Sequence, residues 1–291
     1  MQKIKITIFF FSGTGNTWYI AKELARRFDQ DNNHTELIAV ECPKINKRKK
    51  LRTKIEESDL IGFGYPIHNS EIADAMKNFL EDLPENLSKT IPVFSFCTQM
   101  FVGGNAGTLA EKYIQDSDAG HTDYDIRWAA HFIMPCNLHL PPIVKSPTKG
   151  KVEKTLDDEQ KYLDKFADKI MNTDGWIEGG FDLIRSMFSL KFPLHKKMLY
   201  INQDRCNKCS LCYDVCPMSN IAKNDGKYEV RGSCYFCVRC YSFCPTKAIN
   251  ISLEDIESTE QRAFRRYSGP IAETDPYELA GLQSPKDGED S

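Results

Sequence analysis

The sequence predicts two folded units in one chain: an α/β unit with a doubly wound, five-stranded parallel sheet, then a small α+β unit organised by cysteines. Three observations predict this. Apolar strand runs alternate with amphipathic helical patterns from Ile4 to about Leu140. The first strand runs directly into Ser12-Gly13-Thr14-Gly15-Asn16-Thr17 and then a helix. Eight of the 11 cysteines fall in two blocks, Cys206-x2-Cys209-x2-Cys212-x3-Cys216-Pro217 and Cys234-x2-Cys237-x2-Cys240-x3-Cys244-Pro245, at a constant offset (234 − 206 = 28; 244 − 216 = 28).

The elements follow in order. Ile4 to Phe11 reads as a buried strand rich in Ile and Phe. Trp18, Ala21, Leu24, Ala25 and Phe28 then recur at helical spacing. Thr35 to Val40, Leu60 to Tyr65, Ile91 to Cys97 and Ile126 to Met134 read as the second to fifth strands. Helices are expected at Ile72–Leu83 and Thr108–Asp116, and a longer one from Val152 to Met171, where Leu156, Leu163, Phe166 and Ile170 lie among charges.

A strand, a short hydroxyl-rich loop and a helix aim backbone N–H groups and a helix N-terminus at an anion, and Ser12, Thr14 and Thr17 add donors. A Walker loop needs Gly-Lys-Ser/Thr, and no Lys is present. A dinucleotide fingerprint needs a third Gly or Ala where Trp18 stands; Glu36 imitates its ribose acid only weakly. A hydroxyl-rich loop without a cation suits the monophosphate of FMN. Residues Ser12, Gly13, Thr14, Gly15, Asn16 and Thr17 are its candidate ligands, and here the sequence resembles a flavodoxin.

The cysteine blocks point to iron–sulfur chemistry. Three thiolates within seven residues hold three corners of one cube, and the Cys of the x3-Cys-Pro element crosses to the other cube. One 4Fe–4S cluster is thus assigned to Cys206, Cys209, Cys212 and Cys244, the other to Cys234, Cys237, Cys240 and Cys216. Structural zinc favours separated pairs or Cys with His, and neither block contains a His. Disulfides need an oxidising compartment, whereas thiolate-held clusters belong in a reducing interior, so the expected location is the cytoplasm. Cys42, Cys97 and Cys136 are expected as small buried hydrophobes. His34, His121, His131, His139 and His195 show no ligand spacing.

The net charge of −3 argues against nucleic acid as a partner. The opening Met1 to Phe11 has too short an apolar run for a signal peptide, and no run approaches the length of a membrane span. Phe181 to Phe192 reads as a basic amphipathic helix, expected to pack between the two units rather than on a membrane. Beyond Glu254, the arginines Arg262, Arg265 and Arg266 are expected to solvate a helix, docking onto the sheet unit being the alternative, and the last residues read as disordered.

The flavodoxin resemblance implies that two further loops hold the isoalloxazine ring: Tyr65-Pro66-Ile67-His68-Asn69 on one side, and Thr98 with Gly103-Gly104-Asn105 on the other. A stacking aromatic is not evident; Tyr65, His68 and Phe101 are the candidates. Residues Tyr200 to Leu253 resemble a bacterial two-cluster ferredoxin. With Met134-Pro135-Cys136-Asn137 and Arg266-Tyr267, most of the chain resembles proteins that fuse a flavodoxin-like domain to such a ferredoxin.

That resemblance implies residues 1–172 as the FMN domain, 173–199 as a linker with a docking helix, 200–253 as the two-cluster domain and 254–291 as an extension. It implies an intracellular electron-transfer protein of anaerobic metabolism, moving electrons between FMN and two 4Fe–4S clusters and on to a redox partner, a ferredoxin or an oxidoreductase. The alternative is a flavin-dependent oxidoreductase fed by a nicotinamide or deazaflavin donor, and no catalytic acid or base stands out for it. A non-redox scaffold is the third class. Should flavin and clusters lie far apart within one chain, a homodimer or a hinge at 172–200 is the expected route between them.

Overall fold

The computed structural model describes residues 3–43, 45, 48–68, 70–100, 106–115, 121–137, 147–172, 175–178, 199–251 and 266–285. The sheet is built on β1 (Lys5–Phe10), flanked by β2 (His34–Ala39) and β3 (Leu60–His68), with β5 (Ile91–Gln99) and β6 (Tyr124–Ile133) beyond. These five run parallel in the order β2-β1-β3-β5-β6. Two two-residue strands enlarge the expected five to seven: β4 (Glu71–Ile72) pairs antiparallel with the end of β3, and β7 (Trp176–Ile177) extends the β6 edge.

Both faces of the sheet are covered, so its central strands are apolar on both sides. Ile6, Ile8 and Phe10 of β1 face α1 (Asn16–Gln30) and α5 (Lys149–Met171), where Trp18, Leu24, Phe28, Leu163, Phe166 and Ile170 are buried. Phe9 and Phe11 face the other side, with α2 (Arg48–Glu56), α3 (Asp74–Glu81) and α4 (Leu109–Gln115). On β3, Gly62 and Gly64 lie under the Phe94 and Phe96 rings of β5; a Cβ at either would stand 2.2 or 2.3 Å from a ring carbon. The helix α2 has only Leu51 and Ile55 buried among charges, too thin a stripe for the sequence pattern to announce.

The cysteine unit holds two antiparallel pairs, β8 (Leu199–Ile201) with β11 (Ile249–Ile251) and β9 (Ile221–Asn224) with β10 (Lys227–Val230). Its core is small: Leu199, Val238, Tyr241, Ile249 and Ile251. The 28-residue repeat is also a repeat of backbone. Lys208 and Phe236, Ser210 and Val238, and Ser219 and Lys247 form three pairs at that offset, and all six residues take left-handed φ between 47° and 65°. Such φ costs about 1 kcal/mol per non-glycine residue, so the blocks hold a geometry the chain would not choose alone.

Residues 266–285 return to the sheet. Tyr267 and Leu279 are buried in the core between α1 and α5, and Trp18 donates its indole N–H to Glu278 at 3.0 Å. Arg266, expected to be solvated, is instead buried and bound to the cysteine unit. Arg262, Arg265, the Phe181–Phe192 helix and the final residues lie outside the described residues.

Candidate functional site

A cavity of about 470 Å³ opens at the C-terminal ends of β1, β3 and β5, where a doubly wound sheet places its ligand. Ser12, Gly13, Thr14, Asn16 and Thr17 line its floor. Gly15 stands at φ 100°, a value that favours glycine, where the loop turns into α1. The hydroxyls of Ser12 and Thr14 both accept, which leaves each a proton to give. Ser12 Oγ accepts the Gly15 N–H at 3.1 Å, and Thr14 Oγ1 accepts the Asn137 amide at 2.9 Å. Thr17 and Thr98 share a hydrogen bond of 2.8 Å, joining the floor to the β5 end. Among the described lining residues there is no Lys or Arg. Backbone amides and hydroxyls, in a cavity of ligand size, fit the phosphate and ring of FMN.

Met134-Pro135-Cys136-Asn137 acts as a brace. Pro135 O accepts the Asn16 side-chain amide at 2.8 Å while Asn137 holds Thr14. Cys136, expected as a buried hydrophobe, is half-buried and lines the cavity, whereas Cys42 and Cys97 are buried as expected. Pro66, Ile67, His68 and Thr98 line the cavity. Burial pushes the His68 imidazole down to about 4 against the pull of Asp74, so it is neutral at neutral pH although its rim stays partly exposed. Tyr65 does not line the cavity. Strand alternation turns its ring into the core, where its hydroxyl reaches Ala106 O and Gly107 O at 3.1 and 2.9 Å. Asn69, Phe101, Gly103, Gly104 and Asn105 lie outside the described residues.

Two features escaped the sequence reading. The first is Gln99, which lines the cavity, is 8% exposed and, among the described residues, has no partner for either its amide nitrogen or its oxygen. A buried unpaired amide is costly, so this group is aimed at something the cavity receives. The Gln99→Leu variant should bind FMN about tenfold more weakly, the equivalent of about 1.4 kcal/mol, with its iron content unchanged. Flavin titration of the apoprotein checks this; equal affinity would remove Gln99 from the site.

The second is that the cysteine unit walls the same cavity. Cys234, Tyr235, Phe236 and Val238 line it, and among the described residues the first unit contributes no Phe, Tyr or Trp to the lining. Contact is close enough that a Cβ on Gly13 would stand 2.4 Å from Cys237 O.

The thiols form two electrostatically coupled groups. Cys212 feels Cys244, Cys206 and Cys209, while Cys240 feels Cys237, Cys216 and Cys234 first and Cys212 of the other group last. Burial pushes the Cys212 and Cys237 thiols up to about 12. Backbone N–H groups aim at sulfur: Asn220 at Cys216, Phe236 at Cys234 and Ala248 at Cys244, each at 3.2 Å. Among the described residues no three Cys, His, Asp or Glu converge as ligands of a single metal ion. Thiols supported by N–H···S contacts at matching positions of the two blocks fit iron–sulfur cubes.

A buried ion pair closes the junction. Arg239, inside the second cysteine block, is fully buried and meets Glu41 at 2.7 and 3.2 Å. It also donates to Val215 O and Ser12 O at 2.8 Å and to Leu279 O at 3.3 Å. Burial raises the Glu41 carboxyl, and Arg239 offsets only part of that. Burial opposes the charge on Arg239, but Glu41 and Cys237 hold it in place. One side chain thus ties the phosphate loop, the cysteine unit and the C-terminal extension.

Comparison with known proteins agrees with this geometry. A flavodoxin domain model matches residues 7–124, and a 4Fe–4S dicluster domain model matches residues 205–249. An uncharacterized polyferredoxin-like protein of Methanocaldococcus jannaschii is 35% identical over 69 residues, 24% of this chain. The chain spans about a quarter of that relative, 25% of its length. Among solved structures, a flavodoxin from the domain Archaea is similar over 58% of this chain and 99% of its own, at 15% identity and a TM-score of 0.37. The flavodoxin of Megasphaera elsdenii is similar over 56% of this chain and 98% of its own, at 20% identity and a TM-score of 0.36. Rubredoxin oxygen:oxidoreductase of Desulfovibrio gigas is similar over 59% of this chain, which spans only 37% of that protein, at 16% identity and a TM-score of 0.37.

The chain therefore joins an N-terminal flavodoxin domain to a C-terminal 4Fe–4S dicluster domain. The first domain implies FMN, the second iron–sulfur clusters. Among the described residues no helix is long and apolar enough to cross a membrane.

Proposed function

We propose that this chain is an electron-transfer protein that moves electrons between FMN and two 4Fe–4S clusters within one polypeptide, and on to a redox partner protein. FMN supplies exchange of one or two electrons and each cluster exchange of one. The observation that carries the reading is the shared wall. The loop Cys234–Val238 lines the flavodoxin cavity while Cys234 and Cys237 belong to one thiol group.

In this reading Ser12–Thr17 hold the phosphate, and the ends of β3 and β5, with Thr98 and Gln99, hold the ring. Cys216, Cys234, Cys237 and Cys240 hold an inner cluster beside the cavity. Cys206, Cys209, Cys212 and Cys244 hold an outer one, with Cys209 exposed toward a partner. Tyr235 and Phe236 exclude water between ring and inner cluster. In this reading transfer needs no second copy of the chain, and we assign the described residues 266–285 as a strap onto the sheet.

Anaerobically prepared protein should carry one FMN and about eight irons per chain, as two cubes require. Mass spectrometry under native conditions with iron and sulfide assays checks this. A content of about four irons, or a chain without flavin, would overturn the reading.

A further inference from the structure

We propose that Arg266 is the positioning charge that makes the outer cluster the more readily reduced of the two, so that the first electron rests away from the flavin cavity. The inference rests on the two-cluster reading above.

The repeat makes the comparison internal. At the outer group, Ala248 N–H donates to Cys244 Sγ at 3.2 Å. At the inner group, 28 residues earlier, Asn220 N–H donates to Cys216 Sγ, also at 3.2 Å. Each N–H is one end of a peptide whose carbonyl belongs to the preceding residue, Lys247 or Ser219. The Arg266 guanidinium donates to Lys247 O at 3.2 Å, so a cation grips the far end of the peptide that serves Cys244. It also donates to Ile249 O and to Tyr241 O, each at 2.7 Å, and lies 4.0 Å from the Tyr241 ring centre. Among the described residues no side chain donates to Ser219 O. Hydrogen bonds in series polarise one another, so the N–H delivered to Cys244 is the stronger one.

Charge separates the sites as well. Arg266 is 8% exposed, and no carboxylate among the described residues pairs with it. The inner site has a buried cation too, Arg239, but Glu41 neutralises it at 2.7 Å. An unpaired buried charge is expensive unless something nearby compensates it. A cluster with four thiolates carries net negative charge and gains one more unit on one-electron reduction, so an adjacent uncompensated cation favours the reduced state.

The test is a reductive titration of anaerobic holoprotein followed by electron paramagnetic resonance. Cys209→Ser, an exchange of one sulfur ligand for oxygen, marks the outer signal. In wild type the outer cluster should reduce first. Arg266→Gln should lower the outer potential and leave the inner one in place. Arg266→Lys, which keeps the charge but not the fork, should fall between. Glu41→Gln should raise the inner potential and narrow the gap, an arm that stands even if Arg266→Gln fails to assemble. Inner-first reduction in wild type, or an unmoved outer potential in an assembled Arg266→Gln protein, overturns the proposal; so does an unmoved inner potential in Glu41→Gln. Wild type with about four irons fails the two-cluster reading instead.

Discussion

Replacing Arg239 with Met is expected to destabilise the folded holoprotein by about 3–5 kcal/mol, the cost of leaving a buried charge without its partner. Glu41 is only 12% exposed at its side chain and has no other cation within reach in the described chain. Three carbonyls, Ser12 O, Val215 O and Leu279 O, lose a donor at the same time. They belong to the phosphate loop, the cysteine unit and the extension, so the three should loosen together. The double variant Arg239→Met/Glu41→Leu removes the orphaned carboxylate and should recover most of the loss, since buried ion pairs are often matched by apolar substitutes. Anaerobic chemical denaturation followed by circular dichroism gives both values. A single-variant loss under about 1 kcal/mol would mean that Arg239 does not hold the junction.

The second large effect concerns which cluster is lost. Cys244→Ala lies in the second block, yet it should remove the cluster of the first block, with about half of the iron and sulfide. Cys244 is coupled to Cys212 and receives N–H from Ala248, whereas Cys240 is coupled to Cys216 across the repeat. The surviving cluster should be the one beside the flavin cavity. Spectra that instead show loss of the inner cluster, broadened by the flavin, would break the crossed assignment and with it the inner and outer labels.

Much of this was legible in the sequence. The five main strands fell where Ile, Val and Phe runs put them, because a strand buried on both faces must be apolar throughout. Strand ends were less legible. Leu60–His68 runs past Tyr65 and through Pro66, a residue type that is rare inside a strand. The phosphate loop and the cysteine spacing were visible because each packs its function into contiguous residues. Tyr65 was misplaced because adjacency in a loop does not say which face of the sheet a side chain takes. Gln99 and Arg239 were missed for another reason. Gln99 stands where a polar residue at a strand end is unremarkable, and the role of Arg239 exists only once Glu41, Ser12 and Leu279 meet around it. Arg266 was read as solvated because its partners are main-chain carbonyls, which no side-chain pattern announces.

The claim on which all of this turns is that flavin and inner cluster exchange electrons inside a single chain. Laser-flash reduction of the anaerobic holoprotein, with flavin and cluster absorbance followed separately, measures it directly. Electron redistribution should be first order, with a rate constant that does not change on serial dilution of the protein. A rate that falls in proportion to protein concentration would show that electrons pass between molecules, and would contradict the shared wall formed by Cys234, Tyr235 and Phe236.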